Sequence, residues 1–235
     1  MTQSRPTNFA RANLAVLSLL LASGLCLLLI AFRNSRPHHT DFWFLAKNLF
    51  LAWVPMVCAS AAHFLQSRGA QWRWLVGIFA VIWFLFYPNA PYLITDIIHL
   101  QITGLDTRWL DVLLVMSFIW VGLLLGNLSL QFMHEMVRAH RGPAVGWVFA
   151  IAMLAFGAIG VFVGRFWRWN SKDFLFAPKT LAADALWRLR FMSFPDFQLF
   201  FTAFFSFSLI TYLTLYAFAH VHGERAAPAS PEAAP

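Results

Sequence analysis

Six apolar runs, each near the length that crosses a bilayer, divide this chain and leave only short hydrophilic gaps between them. They are Ala12–Phe32, Phe42–Phe64, Trp72–Tyr87, Trp109–Met133, Ala144–Gly164 and Phe197–Ala219. A hydrocarbon core about 30 Å thick takes roughly 20 helical residues to cross. In lipid every backbone N–H and C=O has to be paired within the protein, which leaves only helices and closed barrels. None of the runs alternates apolar and polar residues as a barrel strand would. The sequence therefore predicts an all-α polytopic integral membrane helix bundle of about six transmembrane helices. Composition agrees: 60% of residues are hydrophobic and 11% charged, too few charges to cover a water-soluble surface of this size. With 26 Phe and 11 Trp, the chain is not a solvated coil either.

Three segments follow: an N-terminal flank over 1–11, a single transmembrane helical domain over 12–220, and a disordered Ala/Pro tail over 221–235. The first run is read as an uncleaved anchor, because Leu25 stands before Cys26 where a lipoprotein cleavage box needs a small residue. Cys26 and Cys58 both lie inside apolar runs and are read as buried thiols. The net charge of +7 comes from basic residues spread over every gap, with no basic helix. That pattern speaks for topology and headgroup contacts and against nucleic-acid binding. Their distribution gives mixed signals on orientation, and a cytoplasmic N-terminus is chosen because first helices usually dominate.

Alternate gaps share a membrane face, and the polar residues are unevenly divided between the two faces. One carries Lys47 and Asn48 at the mouth of the second run, then Asn89, Asp96, His99, Asp106 and Asp111, then Arg165, Arg168, Asn170 and Asp173. The third run is a little short and stops at Pro88-Asn89-Ala90-Pro91, yet the residues after it stay apolar through Leu100. This predicts a broken or re-entrant segment after the third span, with Tyr92, Leu93, Ile94, Ile97, Ile98 and Leu100 buried against the bundle. Asp96 and His99, three apart, would share a helix face. They suit a general base with its orienting acid or a metal-ligand pair; a cap and a headgroup contact are the plainer alternative. Arg165 and Arg168, again three apart, could grip one anion or simply anchor a helix end among Trp167 and Trp169. The small pairs Gly122/Gly126 and Gly160/Gly164 should bring the fourth and fifth spans together, dimerisation being their other use. Asn127 is expected to bond to a neighbouring helix.

Taken in order, several blocks of the chain resemble a bacterial membrane-protein family, domain of unknown function 1361. They are Asn48-Leu49-Phe50-Leu51-Ala52-Trp53-Val54-Pro55, Pro88-Asn89-Ala90-Pro91-Tyr92-Leu93-Ile94-Thr95-Asp96 with His99-Leu100, and Gly164-Arg165 with Arg168-Trp169-Asn170-Ser171 and Asp173. The resemblance covers about Phe42 to Tyr216 and leaves the first run and the tail outside. It implies a bacterial integral membrane protein. It also groups Asn48, Asn89, Asp96, His99, Arg165, Arg168 and Asn170 as one constellation.

Three functional readings stand beside one another at this point. In the first, the polar cluster binds an anionic lipid or lipid-linked ligand. Asp96 and His99 then act as catalytic groups or metal ligands, while Asn48, Asn89, Arg165, Arg168 and Asn170 bind. The second is a transporter or ion-coupled permease component, with the broken third span and a buried Lys47 and Asp111 as substrate or proton sites. The third is an accessory subunit in which these groups only hold helices together. No nucleotide loop, zinc-protease helix or serine elbow is present. The residues do not specify a metal or cofactor, whether the chain is an enzyme, or a homo-oligomer.

Overall fold

The computed structural model describes residues 6–35, 42–102, 108–168, 184 and 194–220. Among them there is no strand, and six helical segments are long and apolar enough to cross a membrane: Leu14–Asn34, Trp43–Ser67, Ala70–Leu100, Arg108–Arg141, Pro143–Trp167 and Asp196–His220. The α-helices are α1 (Pro6–Asn34), α2 (Trp43–Ser67), α3 (Arg73–Phe86), α4 (Asn89–Tyr92), α5 (Arg108–Arg141), α6 (Pro143–Phe162) and α7 (Phe194–His220). The Ala/Pro tail, Asp106, Asn170 and Asp173 lie outside the described residues.

The third span is where the sequence was least regular, and its structure has a local cause. Two prolines three residues apart each remove a backbone donor, so one uninterrupted α-helix cannot continue through them. The backbone nevertheless keeps right-handed helical angles at Tyr87 (φ −51, ψ −43) and Pro88 (φ −62, ψ −18). It forms the single turn α4 and then tightens into a 3₁₀-helix over Leu93–Ile102. The span is thus broken in helix type while the chain continues. The boundary at Tyr87 is corrected: the crossing segment reaches Leu100, which removes its shortfall in length.

A 3₁₀-helix has three residues per turn, so residues three apart eclipse. Leu93, Asp96 and His99 therefore form one row; the first two are buried and His99 is half-buried. Ile97 and Ile98 fall on the other rows and are 48% and 50% exposed. Their expected burial against the bundle is not found, because the three-residue repeat turns them outward, where lipid serves as well as protein.

The glycine pairs also act differently from expectation. A Cβ on Gly122 would lie 2.9 Å from the Ala90 carbonyl oxygen, and one on Gly126 would lie 3.2 Å from the Ala90 Cβ. On α6, a Cβ on Gly157 would come within 3.0 Å of the Tyr87 ring, and one on Gly160 within 2.6 Å of Pro88. The bare faces of α5 and α6 thus receive the Tyr87–Leu93 turn, which is wedged between them. Asn127 is likewise corrected: its amide donates to Leu123 O of its own helix at 2.7 Å. Gly160→Ala should cost about 1–3 kcal/mol, since the proline ring cannot rotate away from the added methyl. Gly77→Ala, with nothing within 4 Å of its added Cβ, should be neutral or slightly stabilising. Unfolding midpoints in detergent compare the two; equal midpoints would mean the wedge is not tight.

Apolar packing gathers in two main layers. One joins α1, α2 and α5 through Ile30, Leu45, Leu49, Leu114 and Phe118. The other joins α2, α3, α5, α6 and α7 through Ala59, Trp83, Leu130, Leu154 and Tyr212. Cys26 and Cys58 are buried free thiols. At the end of α1, Arg33 and Asp111 form an ion pair with side chains 1% and 0% exposed. Its second contact, Arg33 Nη2 to Asp111 Oδ2, is 3.3 Å. Lys47, expected from the sequence to be buried, is corrected: it is exposed on α2, while the adjacent Asn48 turns toward the bundle.

Candidate functional site

Three separate stretches of chain converge at the end of the bundle where α2 and α5 begin. Asn48 comes from the second turn of α2. The 3₁₀ row supplies Asp96 and His99, and the neighbouring row supplies Thr95. α6 widens at its end into a π-turn over Val163–Trp167, which carries Arg165. Such a turn inserts an extra residue and re-aims the side chains around it. Arg168 caps it in the left-handed region at φ 59, ψ 29, a conformation uncommon for a residue other than glycine.

The geometry fixes Arg165 from three directions. Its Nη2 lies 2.6 Å from Asp96 Oδ1, its Nε donates to Thr95 Oγ1 at 2.9 Å, and its guanidinium carbon stands 4.8 Å from the centre of the Tyr92 ring. Thr95 can accept because its own hydroxyl proton goes to Tyr92 O at 2.7 Å. Asp96 is completed by Asn48, whose Nδ2 donates to Oδ2 at 2.9 Å. The carboxylate is 2% exposed and the arginine side chain 17%, so Asp96 is the buried support and Arg165 the member that reaches the surface. A cation over an aromatic face gains a further ~0.5–1 kcal/mol or more.

Of the residues singled out in the sequence, Asn48, Asp96 and Arg165 are in direct contact. His99 stands next to them, its ring 4.4 Å from that of Phe44. Arg168 is exposed one turn beyond Arg165. Asn89 lies earlier on the same span, where its amide donates to Phe86 O at 2.9 Å. Thr95, Tyr92 and Phe44 escaped sequence reasoning. Only the spacing of Thr95 and Tyr92 from Asp96 could have suggested them, and only if the 3₁₀ winding had been known. Asp111 belongs with Arg33 and not with this cluster. Among the described residues no three His, Cys, Asp or Glu side chains converge as a metal would require, so an Asp96–His99 metal pair has no third protein ligand there.

Beside the cluster an open groove of about 470 Å³ runs along α7, lined by Ile94, Leu199, Phe200, Ala203, Phe204 and Phe207, with Asp196 at its rim. Ile94 directly precedes Thr95 and Asp96, so the groove reaches the 3₁₀ segment that carries the charged site.

A family model described as "Protein of unknown function (DUF1361)" matches residues 47–218. The chain belongs to the DUF1361 family. The matched region holds the whole convergence, from Asn48 through the proline turn to Arg165 and Arg168, together with nearly all of α7. α1 and Arg33 lie outside it, so the buried Arg33–Asp111 pair joins a helix beyond the DUF1361 region to one within it. No curated protein and no solved structure matches the chain.

Proposed function

We propose that this DUF1361 protein binds an anionic, lipid-like ligand at one membrane face, in a bacterial cytoplasmic membrane with the N-terminus on the cytoplasmic side. The observation that carries this reading is the fixed guanidinium of Arg165. Its orientation is set before any ligand arrives, so little ordering entropy opposes a charge-assisted hydrogen bond to an anion. Asp96 offsets only one of the two arginines. Arg168, exposed one turn beyond Arg165, is left to meet an anion. The groove along α7 gives an acyl chain an apolar path that begins at Ile94, which favours an amphiphile over a free anion.

In this reading Arg165 and Arg168 contact the headgroup, and Asp96, Asn48 and Thr95 are positioning residues. His99 is the remaining group able to exchange a proton with a bound headgroup. Asn89 and Asn170 complete the proposed binding set. The partners are the bilayer and its anionic lipids.

Binding of phosphatidylglycerol and phosphatidylcholine to the purified protein, followed by native mass spectrometry, tests this. Losing one charge-assisted contact is worth about 1.5–3 kcal/mol, so Arg168→Ala should weaken phosphatidylglycerol binding by roughly ten- to hundredfold and leave phosphatidylcholine unchanged. Equal binding of both lipids by the unaltered protein would end the proposal. Reporters fused at Thr2 and Arg225 should both read as cytoplasmic.

A further inference from the structure

A buried helical serine satisfies its hydroxyl most simply by donating to a carbonyl one turn back along its own helix. Ser23 and Ser129 do so, to Leu19 O at 2.8 Å and to Gly126 O at 2.9 Å. Each also accepts an indole N–H, from Trp53 at 3.0 Å and from Trp83 at 3.3 Å. Ser208 on α7 departs from this pattern. It is 7% exposed, and its Oγ has no hydrogen-bond partner among the described residues. Neighbouring polar groups on α7 are already committed. Thr211 donates to Phe207 O at 2.8 Å, and the Tyr212 hydroxyl lies 2.7 Å from His134 Nδ1. Buried polar atoms without a partner are uncommon enough to call for an explanation.

The surroundings of Ser208 supply one. It lines a small cavity together with Tyr87 and Pro91 of the third span and Asn127 of α5. About 20 Å³ of this cavity admits the centre of a water molecule, against the roughly 10–15 Å³ needed to hold one. Gly126 and Gly157 form part of its wall and put no side chain into it. Tyr87, Asn127 and Ser208 each stand near the middle of a segment long enough to cross the membrane, so bulk water is remote from all three. Asn127 spends one amide proton on Leu123 O at 2.7 Å. Its carboxamide has a second proton and an acceptor oxygen besides, and a tyrosine hydroxyl both donates and accepts.

Size and charge decide what this cavity takes. Among the described residues no charged side chain lines it. A cation at this depth would be uncompensated, and burying a lone charge is far costlier than burying a neutral polar group. An apolar guest would suit the walls that Leu123 and Leu154 provide, but it would leave the Ser208 hydroxyl unpaired. A small neutral molecule that donates and accepts meets both conditions. We infer that the cavity is a binding site for one structural water, which bridges Ser208 Oγ to the Asn127 carboxamide with the Tyr87 hydroxyl as its third partner. About three hydrogen bonds is the usual complement of a buried water. The direct side-chain bonds from α7 to α5 lie further along, at Tyr212 and at Tyr216, whose hydroxyl accepts from Arg138 Nη1 at 3.1 Å. The water adds a tie at mid-bilayer, joining α7 to α5 and to the proline turn. It does not depend on the lipid-binding reading.

The test is a crystal structure of the full chain at a resolution that shows ordered water, with a second crystal soaked in thallium(I). The unaltered protein should show a single peak about 2.8 Å from Ser208 Oγ and within hydrogen-bond reach of Asn127, with no anomalous thallium signal there. Ser208→Ala combined with Asn127→Leu should lose the peak. Thr211→Val, which alters a hydroxyl bonded to its own helix, should keep it. The unaltered protein decides by itself if the double variant does not fold. A cavity without a peak in the unaltered protein overturns the water site, and a thallium signal replaces it with a cation site. A peak that survives the double variant, or is lost in Thr211→Val, overturns the assignment of its partners.

Discussion

Asp111→Ala should destabilise the protein by about 3–5 kcal/mol, the cost of stranding one member of a buried ion pair. Neither side chain of the Arg33–Asp111 pair is more than 1% exposed, so water cannot take over the role of the lost carboxylate. The Phe42 ring stands 6.0 Å from the guanidinium carbon. Replacing both partners with apolar residues of similar size, Arg33→Met with Asp111→Leu, should recover most of the loss, because a buried pair is often matched by a packed apolar one. The Glu135–Arg138 pair gives the contrast, with side chains 31% and 38% exposed at 2.8 Å. Glu135→Ala should cost less than about 1 kcal/mol, as exposed pairs do. Unfolding in detergent measures all three. If Asp111→Ala costs no more than Glu135→Ala, the pair does not hold α1 to the bundle.

The second large effect is expected at Asp96. Asp96→Ala removes the ion-pair partner of Arg165 and the acceptor of the Asn48 amide together. Because Arg165 keeps 17% exposure, the loss should fall somewhat below that of a fully enclosed pair, at about 2–4 kcal/mol. Asp96→Ala combined with Arg165→Gln should be more stable than Asp96→Ala alone, since the uncompensated charge is gone. Phosphatidylglycerol binding separates support from chemistry. Asp96→Asn should keep binding while losing stability, because the arginine charge remains. The double variant should regain stability and lose binding. If Asp96→Asn abolishes binding while leaving the unfolding midpoint unchanged, Asp96 contacts the ligand and is not merely a support for Arg165.

The two ion pairs are of different kinds, and the sequence conveyed them unequally. Asp96 and Arg165 could be paired on paper because the break after the third span and the end of the fifth emerge on the same face. Arg33 and Asp111 could not, because Arg33 read as an ordinary flanking residue of an anchor helix and Asp111 as one carboxylate among several. Charges near helix ends either snorkel to water or pair inside the bundle. The sequence carries the depth of a residue but not the direction it faces.

The six spans, and the shared end of the bundle at which Asp96, Asp111 and Arg165 lie, were legible from hydropathy and alternation of gaps. These depend on segment length and on the rule that backbone polar groups in lipid must be paired, and both are local properties. The tertiary structure alone decided the rest. The 3₁₀ winding after Pro91 turned Asp96 inward and Ile97 and Ile98 outward, where a different helical period would have placed them otherwise. The glycines of α5 and α6 looked like a helix–helix seam, but a seam is set by whichever surface fits, and the proline turn fits between them. His134 and Tyr212, 78 residues apart, had no signal in the sequence, because register between two helices is fixed by packing along their whole length and not by any residue near either one.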